Sequence, residues 1–154
     1  MEQRVVTDRE LQKINNIFKN DVSIVVAYLF GSQAAGKANK YSDVDIAILF
    51  DTTDKEYSYI DKQIDLILSI SDVLDKEVDV VILNRASLTL QYTVIKEGKR
   101  IYERADRTSR SFEARAIVEY FDFLPLKTRM ENGLIAKIKR MYSTEQCKRD
   151  IYIS

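Results

Sequence analysis

The chain has 154 residues, one cysteine, no histidine and a formal net charge of zero, from 24 Lys and Arg against 24 Asp and Glu. That length suits one compact domain. The lone Cys147 excludes an intrachain disulfide and a thiolate zinc site, the absence of imidazole leaves catalysis to carboxylates, lysines, backbone amides or a hard metal ion, and the balanced charge offers no basic excess for stable nucleic-acid binding.

In chain order, Thr7 and Glu10 form a T-x-x-E capping box ahead of Leu11, Ile14, Ile17 and Phe18, which predicts a short amphipathic helix. Met1–Asp8 is polar and no apolar run approaches about 18 residues, so neither a signal peptide nor a membrane span is expected and the default location is cytoplasmic. Val22–Phe30 is rich in β-branched and aromatic residues and reads as a strand running into Gly31-Ser32, followed by a polar loop through Gly36, Asn39 and Ser42. Val44–Phe50 is a second strand. Val44, Ile46 and Ile48 alternate with Asp45, Ala47 and Leu49, so both faces are largely apolar and the strand is expected at the centre of a sheet. Tyr57–Leu74 follows a helical period, Val78–Leu83 reads as a third strand, and Leu88, Tyr92 and Ile95 mark a helix that stops near Gly98. Arg100–Tyr102 supplies a short extra strand. Ser111–Leu124 and Arg129–Tyr142 read as helices interrupted at Pro125, with Gly133 a weak point in the second. The sum is an α/β (α+β) chain forming one domain over 1–154, with its catalytic part at about 7–103 and a helical C-terminal appendage at about 108–154.

The chemistry concentrates in two short stretches. Gly31 permits a tight turn at a strand end, and free amides beside Ser32, with its hydroxyl, suit phosphate oxygens. Asp43 and Asp45 stand at i and i+2 where the second strand begins, so both side chains face one way. Two adjacent carboxylates repel unless a cation lies between them, and magnesium prefers such oxygen ligands while keeping positions for phosphate and water. Asp79 opens the third apolar strand between Val78 and Val80. A carboxylate entering a core strand needs a partner or a metal, so Asp79 is read as a third metal ligand or as a proton acceptor for an attacking hydroxyl. Each element has a plainer reading on its own: a solvated turn, a solvated Asp-x-Asp, an exposed strand end. Their spacing makes them one site.

The pattern Gly31-Ser32, Gly36, Ser42-Asp43-Val44-Asp45 resembles the DNA polymerase beta-like nucleotidyltransferase superfamily, and the Leu29-Phe30-Gly31-Ser32 opening resembles its minimal members. The resemblance implies the polymerase beta-like fold, a small mixed sheet flanked by helices. It implies that Gly31 and Ser32 bind the triphosphate of ATP, that Asp43 and Asp45 bind Mg2+, and that Asp79 assists catalysis. Phe112-Glu113-Ala114-Arg115-Ala116 through Tyr120-Phe121-Asp122-Phe123 is similar to the C-terminal helix of antitoxins in minimal nucleotidyltransferase–HEPN pairs, of the type VII toxin–antitoxin class. That similarity implies transfer of AMP from ATP to a tyrosine of a HEPN-family ribonuclease toxin, in a hetero-oligomeric complex, with Tyr120 and Phe123 as docking or core residues. The chain departs from many members in having Ala35 where they place an arginine; Lys37 and Lys40 lie nearby. Tyr28, Tyr41 and Tyr92 are candidates for stacking on adenine, but a core or surface role is favoured for each. Competing functions are nucleotidyl transfer to a small molecule such as an aminoglycoside, and neutralisation of a toxin by masking without catalysis.

Overall fold

The structure, a computed structural model, describes residues 5–36, 43–51 and 58–153, with side-chain surroundings through residue 144. Lys37, Asn39, Lys40, Tyr41, Ser42, Tyr57 and the side chain of Cys147 lie outside the described residues. Four strands, β1 (Ile24–Phe30), β2 (Val44–Phe50), β3 (Val78–Ile82) and β4 (Lys99–Glu103), form one mixed sheet in the order β3-β2-β1-β4. β1 runs antiparallel to both β2 and β4, whereas β2 and β3 are parallel. Four α-helices join them: α1 (Asp8–Lys19), α2 (Tyr59–Leu74), α3 (Leu88–Glu97) and α4 (Thr108–Ile153). The parallel pair is joined through α2, as such a pair requires a long crossover.

Local chemistry sets the boundaries. The expected capping box at Thr7 is formed, with Glu10 N donating to the Thr7 hydroxyl and Thr7 N to the Glu10 carboxylate. Ser58 and Ser87 cap α2 and α3 with the side-chain half of that motif, their hydroxyls accepting from Asp61 N and Leu90 N. Val22 stays outside β1 and is exposed, and Leu83 leaves β3 to open a short 3-10 turn, Leu83–Arg85.

The sheet buries both faces. On one, Ile24, Ala27 and Leu29 meet Val44, Ile46, Ile48, Val80 and helices α1 and α2 through Ile14, Phe18, Leu66 and Ile70. On the other, Val26, Tyr28, Ala47 and Leu49 meet Val94 of α3 and Phe112 and Ala116 of α4. Each fully buried Val, Leu, Ile or Phe side chain contributes about 1.5–3 kcal/mol. A bulge in β1, where Ile24 pairs with Phe50 but Val26 pairs with Leu49, inserts Val25 as an extra residue. The strand's parity changes there, so Val25 and Val26 both serve the second face.

Polar ties fasten the layers. The Tyr28 hydroxyl and Arg100 both donate to Glu113, joining β1, β4 and the first turns of α4. Burial pushes the Tyr28 phenol far above its usual range, and the Glu113 carboxylate raises it further. Asn84, in the 3-10 turn, accepts from Phe50 N at 2.9 Å and donates to Phe50 O at 2.8 Å, so its amide imitates a neighbouring strand at the end of β2. Arg104 donates to Asp51 at 2.8 Å, to Asp106 at 2.5 Å and to the Val22 carbonyl at 2.9 Å.

The chain divides into two compact units, Met1–Ile117 and Val118–Ser154. The second is helical. α4 runs unbroken for 46 residues with Pro125 inside it, which corrects the expected interruption. Proline removes the donor for the carbonyl of Phe121 and crowds it, but Pro125 and Phe121 lie on an exposed stretch where water can take the donor's place. Tyr120 and Phe123 in this unit are half-buried. No helix among the described residues is long and apolar enough to cross a membrane.

Asn84→Ala should lower unfolding stability by about 1–3 kcal/mol in denaturant titration, because two backbone groups of buried Phe50 lose their partner. The Arg104 contact holds the Asp106 carboxyl at about 2, below its usual value, with the Thr108 amide assisting. A depressed carboxyl gives stability that is present above the unfolded value and lost as pH falls through the folded one. Denaturant midpoints should therefore fall between about pH 4 and pH 2, less steeply in Asp106→Asn. The difference between the two proteins should shrink with added salt, since the pair is exposed.

Candidate functional site

β1 ends at Phe30, and Gly31 turns the chain with φ +69°. Residues 31–36 form consecutive turns rather than a helix, with Ala35 N donating to Gly31 O at 3.1 Å. The anion-binding expectation at Ser32 thus rests on turn amides and the half-buried Ser32 hydroxyl, not on a helix N-terminus. A Cβ on Gly31 would lie 2.4 Å from Oδ2 of Asp45. Glycine is demanded twice here: by the left-handed backbone, and by the carboxylate lying against it.

Asp45 sits on β2 opposite Phe30 of β1 and in register with Asp79 of β3. Adjacent strands are about 4.8 Å apart, so the parallel ladder puts these two carboxylates on neighbouring positions of one sheet face. Asp43 immediately precedes β2 and is exposed. Asp45 is pushed above its usual value, first by burial, then by the negative charges of Asp79 and Asp43. The three acidic residues therefore act on one another electrostatically. Among the described residues no three acidic, histidine or cysteine side chains are gathered into a ready-made metal cage. The donors themselves fit magnesium: all are hard oxygens, and the raised Asp45 is what a divalent cation would relieve.

Several features escaped the sequence reading. Gln33, beside Ser32, is buried rather than solvated; its Oε1 accepts from Val6 N at 3.3 Å, and its Nε2 has no hydrogen-bond partner among the described residues. Nothing in a Gly-Ser-Gln loop announces that. Asp79 lines an open groove of about 390 Å³ along β3, with Tyr59 and Gln63 of α2 and Arg85 of the 3-10 turn. The Arg85 guanidinium lies 4.6 Å from the Tyr59 ring centre. Six residues beyond Asp79, just past a strand end, a basic residue in a turn was the available signal. Of the adenine-stacking candidates, Tyr28 takes the core role favoured for it: it is 2% exposed and its hydroxyl is engaged by Glu113. Tyr92 is half-buried beneath Lys96, and Ala35 is exposed on the turn.

Gly31→Ala should damage the site more than the fold. The left-handed backbone costs about 1–2 kcal/mol with a Cβ present, and the methyl displaces the Asp45 carboxylate. Calorimetry should find a modest loss of thermal stability together with loss of measurable ATP binding.

The family described as polymerase beta, nucleotidyltransferase matches residues 12–107, a span that includes Gly31, Ser32, Asp43, Asp45 and Asp79. A protein adenylyltransferase MntA from Aphanizomenon flos-aquae is 27% identical over 141 residues, covering 86% of this chain and 93% of its own length. The protein adenylyltransferase MntA of Shewanella oneidensis is 33% identical over 92 residues, covering 58% of this chain and 63% of its own. Among solved structures, a toxin–antitoxin with AMP-PNP matches with a TM-score of 0.66 at 26% identity, over 82% of this chain and 97% of that one. A tri-AMPylated Shewanella oneidensis HEPN toxin in complex with MNT antitoxin matches with a TM-score of 0.60 at 25% identity, over 82% and 98%. With more than half of its length matched and the glycine–serine turn and acidic residues inside the match, the chain belongs to the polymerase beta nucleotidyltransferase family.

Proposed function

We propose that this chain is a protein adenylyltransferase and antitoxin that transfers AMP from ATP to a tyrosine hydroxyl of a HEPN-family ribonuclease toxin, and so silences it. The observation that carries this reading is the register of Asp45 with Asp79 beside the Gly31-Ser32 turn. It occurs in a chain that aligns with 93% of the length of a protein adenylyltransferase. The chain works as one minimal nucleotidyltransferase domain, with the helical appendage at about 108–154.

Gly31 and Ser32 bind the triphosphate; the turn brings backbone amides to its oxygens without a Cβ in the way. Asp43 and Asp45 would hold Mg2+, and Asp79 would serve as a third ligand or, in the step below, as the proton acceptor. When bound, the ion neutralises triphosphate charge and favours the developing phenolate. A phenol has a pKa near 10 and needs activation at neutral pH. Asp79 accepts its proton as the oxygen bonds to the α-phosphorus, and Ser32 with the adjoining amides steadies the departing pyrophosphate. The cytoplasm, where ATP and magnesium are supplied, is the setting this chemistry needs.

Intact and peptide mass spectrometry of the cognate toxin, incubated with ATP, magnesium and this protein, should show AMP-sized increments on a tyrosine. A toxin that is fully neutralised yet unmodified would instead establish masking without catalysis. Asp43→Asn and Asp45→Asn should each cut transfer by orders of magnitude while the fold survives. Asp79→Asn should lower turnover far more than ATP affinity, since a proton acceptor acts in the transition state. Near-wild-type transfer by Asp43→Asn and Asp45→Asn would refute the proposed site.

A further inference from the structure

Apart from Val5 and Val22, the exposed large apolar residues described in the unit Met1–Ile117 all lie on α2: Ile60 (63% exposed), Ile64 (49%) and Leu68 (64%). Their spacing of four makes one ridge on the helix surface. Its position follows from two neighbouring contacts. Lys62 reaches Asp21 at 2.7 Å on the flank toward the turn before β1, whereas Gln63 donates to the Val80 carbonyl at 2.5 Å on the flank toward β3. At 3.6 residues per turn, Ile60 follows Gln63 on the β3 flank, and Ile64 and Leu68 wind from there over the outer face. Ile60 also lines the groove that contains Asp79. The ridge is thus continuous with the groove, and β3 is an outer strand of the sheet.

The helix carries a second stripe. Asp61, Asp65 and Asp72 are exposed and fall on adjoining angular positions just beyond the ridge. Exposed lysines or arginines on α2 do not balance them: Lys62 is the helix's only basic residue, and it is paired with Asp21. An apolar ridge bordered by carboxylates, leading into a groove that ends at a candidate proton acceptor, has the form of a protein seat.

We propose that the Ile60–Ile64–Leu68 ridge of α2 and the adjoining β3 groove are where the acceptor protein docks, through an apolar surface bordered by lysines or arginines. This rests on the adenylyltransferase reading above. Seated there, the acceptor presents its tyrosyl side chain along the groove to Asp79, while the triphosphate lies on the other side of Asp45, at the Gly31-Ser32 turn. The two substrates then reach the acidic residues from opposite sides. Apolar contact at the centre supplies the affinity, and the aspartate border supplies orientation and encounter rate.

The test uses full-length protein and the purified cognate toxin. Calorimetry measures toxin binding and ATP–magnesium binding; mass spectrometry measures transfer kinetics. The double variant Ile64→Ser/Leu68→Ser should weaken toxin binding and raise the KM for toxin by about tenfold or more, leaving kcat at saturating toxin and ATP affinity within about twofold. Asp65→Lys/Asp72→Lys should also weaken toxin binding, and more at low salt than at high salt. Circular dichroism verifies that the variants, all at exposed positions, remain folded. Toxin affinity unchanged in the serine variant overturns the seat, and tighter binding by the lysine variant overturns the basic character of the partner surface. A wild-type protein that binds toxin but never modifies it would refute the adenylyltransferase reading; the two binding comparisons would still decide the seat.

Discussion

The site depends on holding carboxylates together where they repel. Asp45 and Asp79 occupy paired positions on parallel strands, and Asp43 adds its charge from the residue before β2. Such a group cannot hold itself in place. It needs a strand buried on both sides, so that moving Asp45 away would expose Val44, Ile46 and Ile48 on one face and Ala47 and Leu49 on the other. It also needs a neighbour without a side chain, because the Asp45 carboxylate lies where a Cβ on residue 31 would be. The apolar layers are the reaction force against the acidic cluster.

The same logic explains why β1 is tied so firmly. It carries the turn that faces Asp45, and it pairs on both sides, with β2 and with β4. The bulge at Val25 sets its parity, so that Tyr28 points to the α4 side and meets Glu113 while Leu29 points to the α2 side. Gly98 lies close beneath, with a notional Cβ 2.4 Å from the Val94 carbonyl and 3.4 Å from the Leu29 carbonyl, so the entry to β4 also leaves no room for a larger residue. The strand that ends in the glycine–serine turn is therefore fixed along its length by pairing, packing and one buried phenol.

Much of this was legible from residue order. Alternation in Val44–Phe50 marked a central strand whose faces are now seen to be buried, and Thr7 with Glu10 marked the start of α1. Asp43, Asp45 and Asp79 stood out because charge entering an apolar strand has few structural excuses. The features that escaped depend on contacts between residues far apart in the chain. Asn84 completes the end of β2 from 34 positions away, and Gln33 is buried by the segment that holds Val6. The bulge is invisible because Ile24, Val25 and Val26 are alike in character, so the residue types do not reveal the lost alternation. Pro125 misled for the opposite reason: a strong local rule was applied to a helix that continues through it.

The order of strands also bears on how the molecule comes into being. β1 is the inner strand that leads into the glycine–serine turn, yet Arg100, which pairs with Tyr28 along β4, comes 72 positions later in the chain (100 − 28). Glu113, which receives the Tyr28 hydroxyl, comes later still. During synthesis β1 is left with one open edge and an unsatisfied phenol until α2, β3 and α3 have all been made. Contacts of such long range close late in folding, and an unpaired strand edge invites association with other chains in the meantime. The glycine–serine turn therefore precedes in the chain both the strand and the carboxylate that fix the strand leading into it.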